Sequence, residues 1–529
     1  MMTKKSILII LLTLILLLTT SCKKNPTIEE VYPKNDVYYQ ILVRSFADSN
    51  NDGVGDFNGI TEKLGYLKDL GVTALWLMPI HPTTTYHGYD VTDYYDVNSE
   101  YGTLEDFKKL CKEAEKLGID IMIDMVINHT SDKHPWFQKA MAGEKEYMDY
   151  YVFTTLPTNG LLGSWGQGIW HTVNGKKFCG YFSPSMPDLN YFNDKVKEEV
   201  INIGKFWIEC GVDGFRLDAA QHFYGTNEYL GINYDDLYNI RFLKTYCEEL
   251  RKIDPDFYVT GEINITTTSI VKNYFLGIDS PLDFPIAQKL VAGASSNGDS
   301  FYVKNLIKIY DQYRAINENF ISAPFLRNHD ENRLANEYNG DIAKMKLVSE
   351  MLLTLPGSPI MYYGEEVGMY GSKSNGEANN IGTDTWDETR RLPLNFGDEY
   401  TTTWFNDQNF PDVVANKNVK SVSEQLTDAD SLLNTYKRII KVRNENIALK
   451  YGNNISIYEK NTTQLQGFYR EFTFEGQTQK VLVIHNLSIK PIDFEPISGK
   501  VIYLSGTDNP VMPTTLPAKS TIIIDVTGE

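Results

Sequence analysis

The sequence predicts an α/β fold: a (β/α)8 TIM barrel with a small domain inserted after strand 3, followed by a C-terminal antiparallel β-sandwich domain. Three observations carry this. From Tyr38 onward, short apolar segments alternate with amphipathic stretches at three-to-four spacing, the pattern of parallel β/α architecture. Between Asn128 and about Asn190 that alternation breaks into irregular Gly, Trp, Tyr and Phe, a stretch far longer than the usual βα loop of about 2–6 residues. After Ala448 the texture becomes alternating apolar residues with Asn, Thr and Gly turns, as from Val481 to Asn486, which reads as antiparallel strands.

Taken in order, Val37–Phe46 reads as a strand and Ile60–Leu70 as a helix ending at Gly71. Ala74–Ile80 is the next strand. Leu104–Leu117 is a helix closed by Gly118, and Ile119–Ile127 a third strand. The helix Lys195–Cys210 precedes the strand Val212–Leu217, and Phe257–Glu262, Ser322–Leu326 and Ile360–Tyr363 continue the series. Seven strands over about 330 residues favour a barrel with insertions. An eighth, sixth in order, must lie between Ile270 and Phe284. The expected organisation is a signal peptide at 1–21, a linker at 22–36, the barrel at 37–128 and 191–446, the insertion at 129–190 and the β domain at 447–529.

Lys4 and Lys5 precede an uncharged run from Ser6 to Ser21, and Cys22 follows directly. Sixteen residues fall short of the roughly 20 that span a bilayer, so the run reads as a secretory signal. A small residue before a lone Cys resembles a bacterial lipoprotein signal, which would leave a lipid on Cys22 and anchor an exported protein to the bacterial membrane or cell surface. Ordinary secretion is the alternative. Cys111, Cys179, Cys210 and Cys247 could form two disulfides after export; buried thiols are the plainer reading, since their spacing matches no known framework or zinc site.

Asp and Glu outnumber Lys and Arg 69 to 50, for a formal charge of −19. That sign opposes nucleic acid, which demands clustered cations, and leaves neutral ligands open. The 34 Tyr residues raise the question of rings that form a binding surface.

Barrel enzymes carry their catalytic groups at the C-terminal ends of strands, and here those ends are rich in ionisable groups. The third strand holds Asp124 and leads to Asn128 and His129; the fourth holds Arg216 and leads to Asp218; the fifth ends at Glu262; the seventh leads to His329 and Asp330. Arg216 and Asp218 are two apart and so project to one side of a strand. The guanidinium beside it favours an ionised Asp218, as a nucleophile requires. Glu262 has no Lys or Arg within nine residues, which suits a raised pKa. Two carboxyls in opposed environments are what retaining glycoside hydrolysis needs. A separate stretch, Asp48, Asn50, Asp52, Val54 and Asp56, places oxygens at positions 1, 3, 5, 7 and 9 with Gly53 at 6, the logic of a loop wrapped around Ca2+. Position 12 is Gly59 and a strand precedes, so this is not an EF-hand.

These segments resemble glycoside hydrolase family 13, the α-amylase family. Asp124–His129, Gly214–His222, Gly261–Glu262 and Phe325–Asp330 match its four main motifs in order, and Met186 to Asn190 matches a fifth in the inserted domain. The resemblance implies that Asp218 is the nucleophile, Glu262 the general acid/base and Asp330 the residue that binds the sugar hydroxyls at C2 and C3. It implies that Arg216 orients the nucleophile and pairs with Asp124, that His129 and His329 hydrogen-bond the same sugar, and that Tyr89 stacks on it with His87 beside it. It places calcium in the 48–56 loop and a second calcium on Asn128, Asp188 and the His222 carbonyl. Trp136, Trp165, Trp170, Tyr181 and Phe182 are candidates for outer subsites or for packing.

The fifth motif lies between those of oligo-1,6-glucosidases and neopullulanases and looks like that of bacterial lipoprotein α-amylases. Ala219 stands where relatives that cut α-1,6 bonds carry Val. Together these point to endo-hydrolysis of α-1,4-glucosidic bonds in starch and maltooligosaccharides. A neopullulanase, an oligo-1,6-glucosidase, a 4-α-glucanotransferase and a catalytically silent surface glucan-binding protein are the alternatives.

Overall fold

A computed structural model describes residues 27–31, 35–155, 157–158, 160, 162–225, 236–378 and 384–528. The signal run and Cys22 lie outside the described residues. Among the described residues no helix is long and apolar enough to cross a membrane.

The barrel strands are β1 (Tyr38–Ile41), β2 (Ala74–Leu77) and β3 (Asp120–Met125); then, after three short strands of the insertion, β4 (Phe153–Thr154), β5 (Trp170–Val173) and β6 (Lys176–Cys179), come β7 (Gly214–Leu217), β8 (Tyr258–Gly261), β9 (Ser280–Pro281) and β10 (Ile360–Tyr362). They form one parallel sheet in the order β10-β1-β2-β3-β7-β8-β9. Parallel bridges Leu282–Ala323 and Phe325–Ile360 carry the chain from β9 back to β10 and close the barrel. The sixth strand is therefore Ser280–Pro281, and the expected seventh, Ser322–Leu326, is present as bridges around Pro324, which has no N–H to give a ladder.

The first strand is shorter than its sequence suggests. Its neighbours pair with it only from Tyr38 to Ile41, and Val43–Phe46 then turns into a single helical turn. The helices follow their local signals. Asp56 caps Phe57–Leu70 through the Gly59 N–H, and Gly71 ends it in the left-handed region. A reciprocal capping box between Thr103 and Asp106 starts Leu104–Lys116. Asp194–Glu209 begins on Asn193 and ends just before Gly211.

Between β3 and Asp194 the chain forms the helix Pro135–Ala142 and a three-stranded antiparallel sheet in the order β4-β6-β5. At the C-terminus, β13 (Asn454–Ile457), β14 (Leu465–Phe474), β15 (Gln477–Asn486), β17 (Lys500–Leu504) and β19 (Ser520–Asp525) pair antiparallel in the order β13-β14-β15-β19-β17. Period-two alternation divides the faces of this sheet. Val481, Val483 and Ile523 join the main core that includes the barrel. Leu482, Ile484, Ile522 and Ile524 instead meet Phe494 and Leu516, which lie at or beside the two-stranded sheet of β16 (Ile492–Asp493) and β18 (Thr515–Leu516). Among the described residues the second layer of the sandwich consists of these two short strands. Cys111, Cys179, Cys210 and Cys247 are buried thiols outside any disulfide.

Candidate active site

The C-terminal ends of the barrel strands converge on one arginine. Arg216 is fully buried in β7, in register with Asp124 of β3. Its Nη1 donates to Asp124 Oδ1 at 2.7 Å and to Asp218 Oδ1 at 2.8 Å, and its Nη2 donates to Glu262 Oε2 at 2.6 Å. Backbone ladders fix the two catalytic candidates just past their strands: the Asp218 N–H reaches Met125 O and the Glu262 N–H reaches Leu217 O. Ala219, next to Asp218, takes a φ of 48°, a left-handed conformation unusual for a residue with a Cβ and of the kind that gathers at functional sites.

Opposite lies a second charged group. Arg391 Nη2 donates to Asp330 Oδ1 at 2.9 Å, its Nε to His329 O at 3.1 Å and its Nη1 to Tyr86 Oη at 3.0 Å. His329 Nε2 sits 3.1 Å from Asp330 Oδ2 and 2.6 Å from Tyr89 Oη. Tyr89 donates to Asp124 Oδ2 at 3.0 Å, and its ring stacks on His329 with centroids 5.6 Å apart. The other ring neighbour of Tyr89 is His87, stacked on it with centroids 5.9 Å apart. His129 Nε2 donates to Tyr89 O at 2.9 Å.

Burial governs the electrostatics. It pushes Asp218 up to about 7, against the pull of Arg216 and aided by Asp124 and Asp330. It raises Glu262 as well, again opposed by Arg216 and reinforced by Asp218 and Asp330. Burial also works to raise Asp330, but His329 and Arg391 outweigh it and hold that carboxyl well below the usual range. Desolvation lowers His87 and His129 to about 4, so both are neutral hydrogen-bonding groups at neutral pH. The sequence argument for Glu262 reached the right direction for the wrong reason. A cation 46 residues away touches it, and dehydration rather than distance from charge raises its pKa. For Asp218, likewise, Arg216 moderates a carboxyl that burial would otherwise protonate.

Asp218, Glu262, Asp330, Tyr89, His87 and His129 line one cleft of about 610 Å³. Arg216 and His329 sit beneath its floor, hydrogen-bonded to those residues. Of the aromatic candidates, Trp165 and Phe182 line the cleft, and Trp165 is 67% exposed. Trp136 instead packs among Tyr94, His134 and Tyr150, Tyr181 lies on the His222 ring, and Trp170 sits on β5 outside the cleft lining. The sequence reading missed Arg391 and Tyr86, which also line it. Nothing in their local sequence marks them: Arg390 and Arg391 beside Asp387 and Glu388 look like a surface ion-pair cluster.

The two expected calcium loops differ. In the first, Asp48 accepts from the N–H groups of Asn50, Asn51 and Gly53, Asn50 from Asp52, and Asp52 from Val54. These turns fold the loop back on itself and keep Asp48, Asn50 and Asp52 on successive alternate residues. Gly53 is required, since its φ is 96° and a Cβ there would meet Thr403 Oγ1 at 2.8 Å. Asp56 is committed elsewhere: its carboxylate takes Ser49 and the Gly59 N–H. Asp48, Asn50, Asp52 and the Val54 carbonyl thus fit a hard cation, with Asp56 buttressing the loop. Among the described residues no three His, Cys, Asp or Glu side chains gather as a metal-binding group, so the fit rests on amide and carbonyl oxygens as well as acids.

The second set does not fit. Asp188 is buried with its oxygens met by Cys179 Sγ at 3.1 Å and by the Tyr181 N–H at 3.2 and 3.3 Å. Burial pushes it up to about 7, and the His222 carbonyl accepts from Gly225 at 2.9 Å. A thiol donor stands against the only acid that the set contains.

Comparison with known proteins agrees with this geometry. Residues 40–452 match the family model described as the α-amylase catalytic domain. The chain is 38% identical over 464 residues to Alpha-amylase 3 of Dictyoglomus thermophilum, covering 87% of this chain and 86% of that one. It is 33% identical to a 4-alpha-glucanotransferase of Thermotoga neapolitana, over 88% of this chain and 99% of the relative. Among solved structures, the α-amylase from H. orenii superposes with a TM-score of 0.82 at 37% identity, covering 93% of this chain and 99% of that one. An acid-and-arginine cluster at the strand ends of a (β/α)8 barrel, a matched catalytic domain and relatives of this similarity lead to one conclusion: the chain belongs to the α-amylase family, glycoside hydrolase family 13.

Proposed function

We propose that the protein is a retaining, endo-acting hydrolase of α-1,4-glucosidic bonds in starch and maltooligosaccharides. The observation that carries this reading is the single guanidinium of Arg216 hydrogen-bonded to both Asp218 and Glu262. Two carboxyls on one guanidinium are neighbours, which supports the close pairing (about 5–5.5 Å) that retaining chemistry uses.

In this mechanism Asp218 attacks the anomeric carbon while Glu262 gives its proton to the glycosidic oxygen. A covalent glycosyl-enzyme forms and the shortened glucan leaves. Glu262, now a carboxylate, takes a proton from water, which attacks the same carbon and frees Asp218. Asp330, kept ionised by Arg391 and His329, binds the C2 and C3 hydroxyls, and Tyr89 stacks beneath the ring. His87 and His129, neutral at this pH, hydrogen-bond the same sugar. A neutral polymer brings no charge for steering, so aromatic faces such as Trp165 and hydroxyl contacts supply its binding. A calcium ion held by Asp48, Asn50, Asp52 and the Val54 carbonyl would rigidify the loop that leads into the first barrel helix. The same reading has the protein exported and anchored through a lipid on Cys22, an assignment tested by palmitate labelling of the wild type against Cys22→Ala.

A second reading, 4-α-glucanotransferase, is favoured by the Thermotoga neapolitana relative of that name. Product profiles on maltoheptaose, isomaltose and pullulan, with reducing ends counted over time, separate the two. Hydrolysis of maltoheptaose to short maltooligosaccharides with a steady rise in reducing ends is expected. Redistribution of chain lengths at constant reducing ends would make it a transferase; cleavage of isomaltose alone would overturn the α-1,4 assignment.

A further inference from the structure

Gln40 is a polar residue in the otherwise apolar run of β1, wholly buried, and no role has been given to it above. Its Nε2 lies 2.8 Å from His329 Nδ1. Its Oε1 is buried with no hydrogen-bond partner among the described residues. A stranded amide oxygen is unfavourable, and an apolar side chain of the same length would avoid it. The orientation of the amide therefore calls for a cause, and His329 supplies it.

The far side of the imidazole faces acceptors. Asp330 Oδ2 is 3.1 Å from Nε2, while its other oxygen is held by Arg391. An ionised carboxylate only accepts, so Nε2 must carry the proton. Burial lowers His329 against the pull of Asp330, and an imidazole that donates from Nε2 alone is neutral, with one N–H. Nδ1 is then bare and needs a donor, which among the described residues the amide nitrogen of Gln40 provides. From there the hydrogen bonds run in one direction. Gln40 donates to His329, and His329 Nε2–H is shared by Asp330 and Tyr89 Oη. Tyr89 donates to Asp124, which also receives Arg216, the residue that holds Asp218 and Glu262. In the other tautomer Nε2 would turn a lone pair on the Asp330 carboxylate and draw the Tyr89 proton away from Asp124. The charged groups around the ring are Asp330, Arg391, Arg216 and Glu262, with Asp124 one hydrogen bond further on.

We propose that Gln40 is a positioning residue that, by donating to Nδ1, holds His329 in the Nε2–H tautomer that Asp330 requires, and so keeps the direction of the hydrogen-bond chain from β1 to the nucleophile. This rests on the functional reading above only for its kinetic consequence; the tautomer itself is a property of the free protein.

The test uses the full chain labelled with 15N-histidine, with His329 identified as the resonance lost in His329→Asn. Long-range 1H–15N correlation should show a bare Nδ1 and a protonated Nε2. In Gln40→Glu, whose carboxylate demands a proton from Nδ1, His329 should become protonated on both nitrogens. In Gln40→Met, kcat on maltoheptaose should fall by about 10–100-fold, the usual range for an orienting partner, with KM changed by less than about 3-fold. Its unfolding midpoint should stay level or rise, because the stranded oxygen is gone. A merely structural Gln40 would give the reverse: a lower midpoint and an unchanged kcat. A wild-type His329 protonated on Nδ1, or an unaltered His329 spectrum and kcat in Gln40→Met, would overturn the proposal. If the wild type fails to cleave maltoheptaose, the functional reading falls while the spectrum still decides the tautomer.

Discussion

Arg216 and Arg470 are both wholly buried, yet they are opposites. Among the described residues the hydrogen-bond partners of Arg216 are all carboxylates, those of Asp124, Asp218 and Glu262. Arg470, on β14, meets only backbone carbonyls, those of Thr354, Leu449 and Gly452, and its neighbour Arg443 meets those of Leu353, Leu355 and Gly357. Four of these six carbonyls, from Leu353 to Gly357, lie at or just beyond the end of the helix Ile342–Leu353, where the partial negative charge of the helix collects. The two regions handle buried charge differently. At the β14 contact, cations satisfy the end of a helix and bind the C-terminal sheet to the barrel, and burial lowers Arg443 to about 10. At the strand ends, a cation is shared among acids that burial would rather keep protonated, and the competition leaves groups that gain and lose protons near neutral pH. Buried charge with dipoles for partners is architecture; buried charge with ionisable partners is chemistry.

Exchanging each arginine for Met tests that division most strongly. Arg216→Met should lower kcat on maltoheptaose by about 10³-fold or more, because three buried acids lose their common cation. Arg470→Met should leave kcat within about 2-fold while costing about 2–4 kcal/mol of stability, read by denaturant unfolding, as three buried carbonyls lose a charged donor. Equal kinetic damage from both would erase the distinction.

A smaller effect follows from pH. The nucleophile must be ionised, and Asp218 is pushed up to about 7, so the acidic limb of kcat/KM should fall near 7 rather than in the ordinary carboxylate range. Because Arg216 lowers Asp218, Arg216→Lys, a weaker match to two carboxylates, should move that limb to higher pH. An acidic limb near 4 in the wild type would contradict the burial argument.

The smallest effect concerns Asp188, whose partners are a thiol and an amide. Its folded pKa is raised to about 7. For an acid raised in this way, the contribution to stability is present below the unfolded value near 4 and is lost as pH rises through 7. Asp188→Asn should therefore be near neutral at pH 3 and stabilising by up to about 3 kcal/mol at pH 8. Loss of stability at pH 8, together with loss of a bound calcium by metal analysis, would show that a cation holds this carboxyl after all. The 48–56 loop gives the contrast: Asp48→Ala should abolish the calcium-dependent rise in unfolding temperature.

Much of this was legible in the sequence because strand ends keep chemistry local. Asp218 lies two residues after Arg216, just past the end of the same strand, and Glu262, His329 and Asp330 follow theirs closely, so residue type and position along the barrel were enough to single them out. What escaped was set across the fold. Gln40 and Arg391 meet the histidine and aspartate of another loop 289 and 61 residues away, and no spacing in one chain encodes that. A buried Gln amid apolar strand residues was the one visible hint. Ser280–Pro281 is too short to show periodicity, and Pro324 breaks the pattern of the seventh strand. Charge environments failed for the same reason: proximity along the chain put Arg216 with Asp218 and the family resemblance put it with Asp124, while the fold added Glu262.

The most direct test of the central assignment is the anomeric configuration of fresh product. In 1H NMR spectra taken during the first turnovers on maltoheptaose, before mutarotation, the new reducing ends should be α, as two displacements at one carbon through Asp218 and Glu262 require. New reducing ends that appear as β would contradict it.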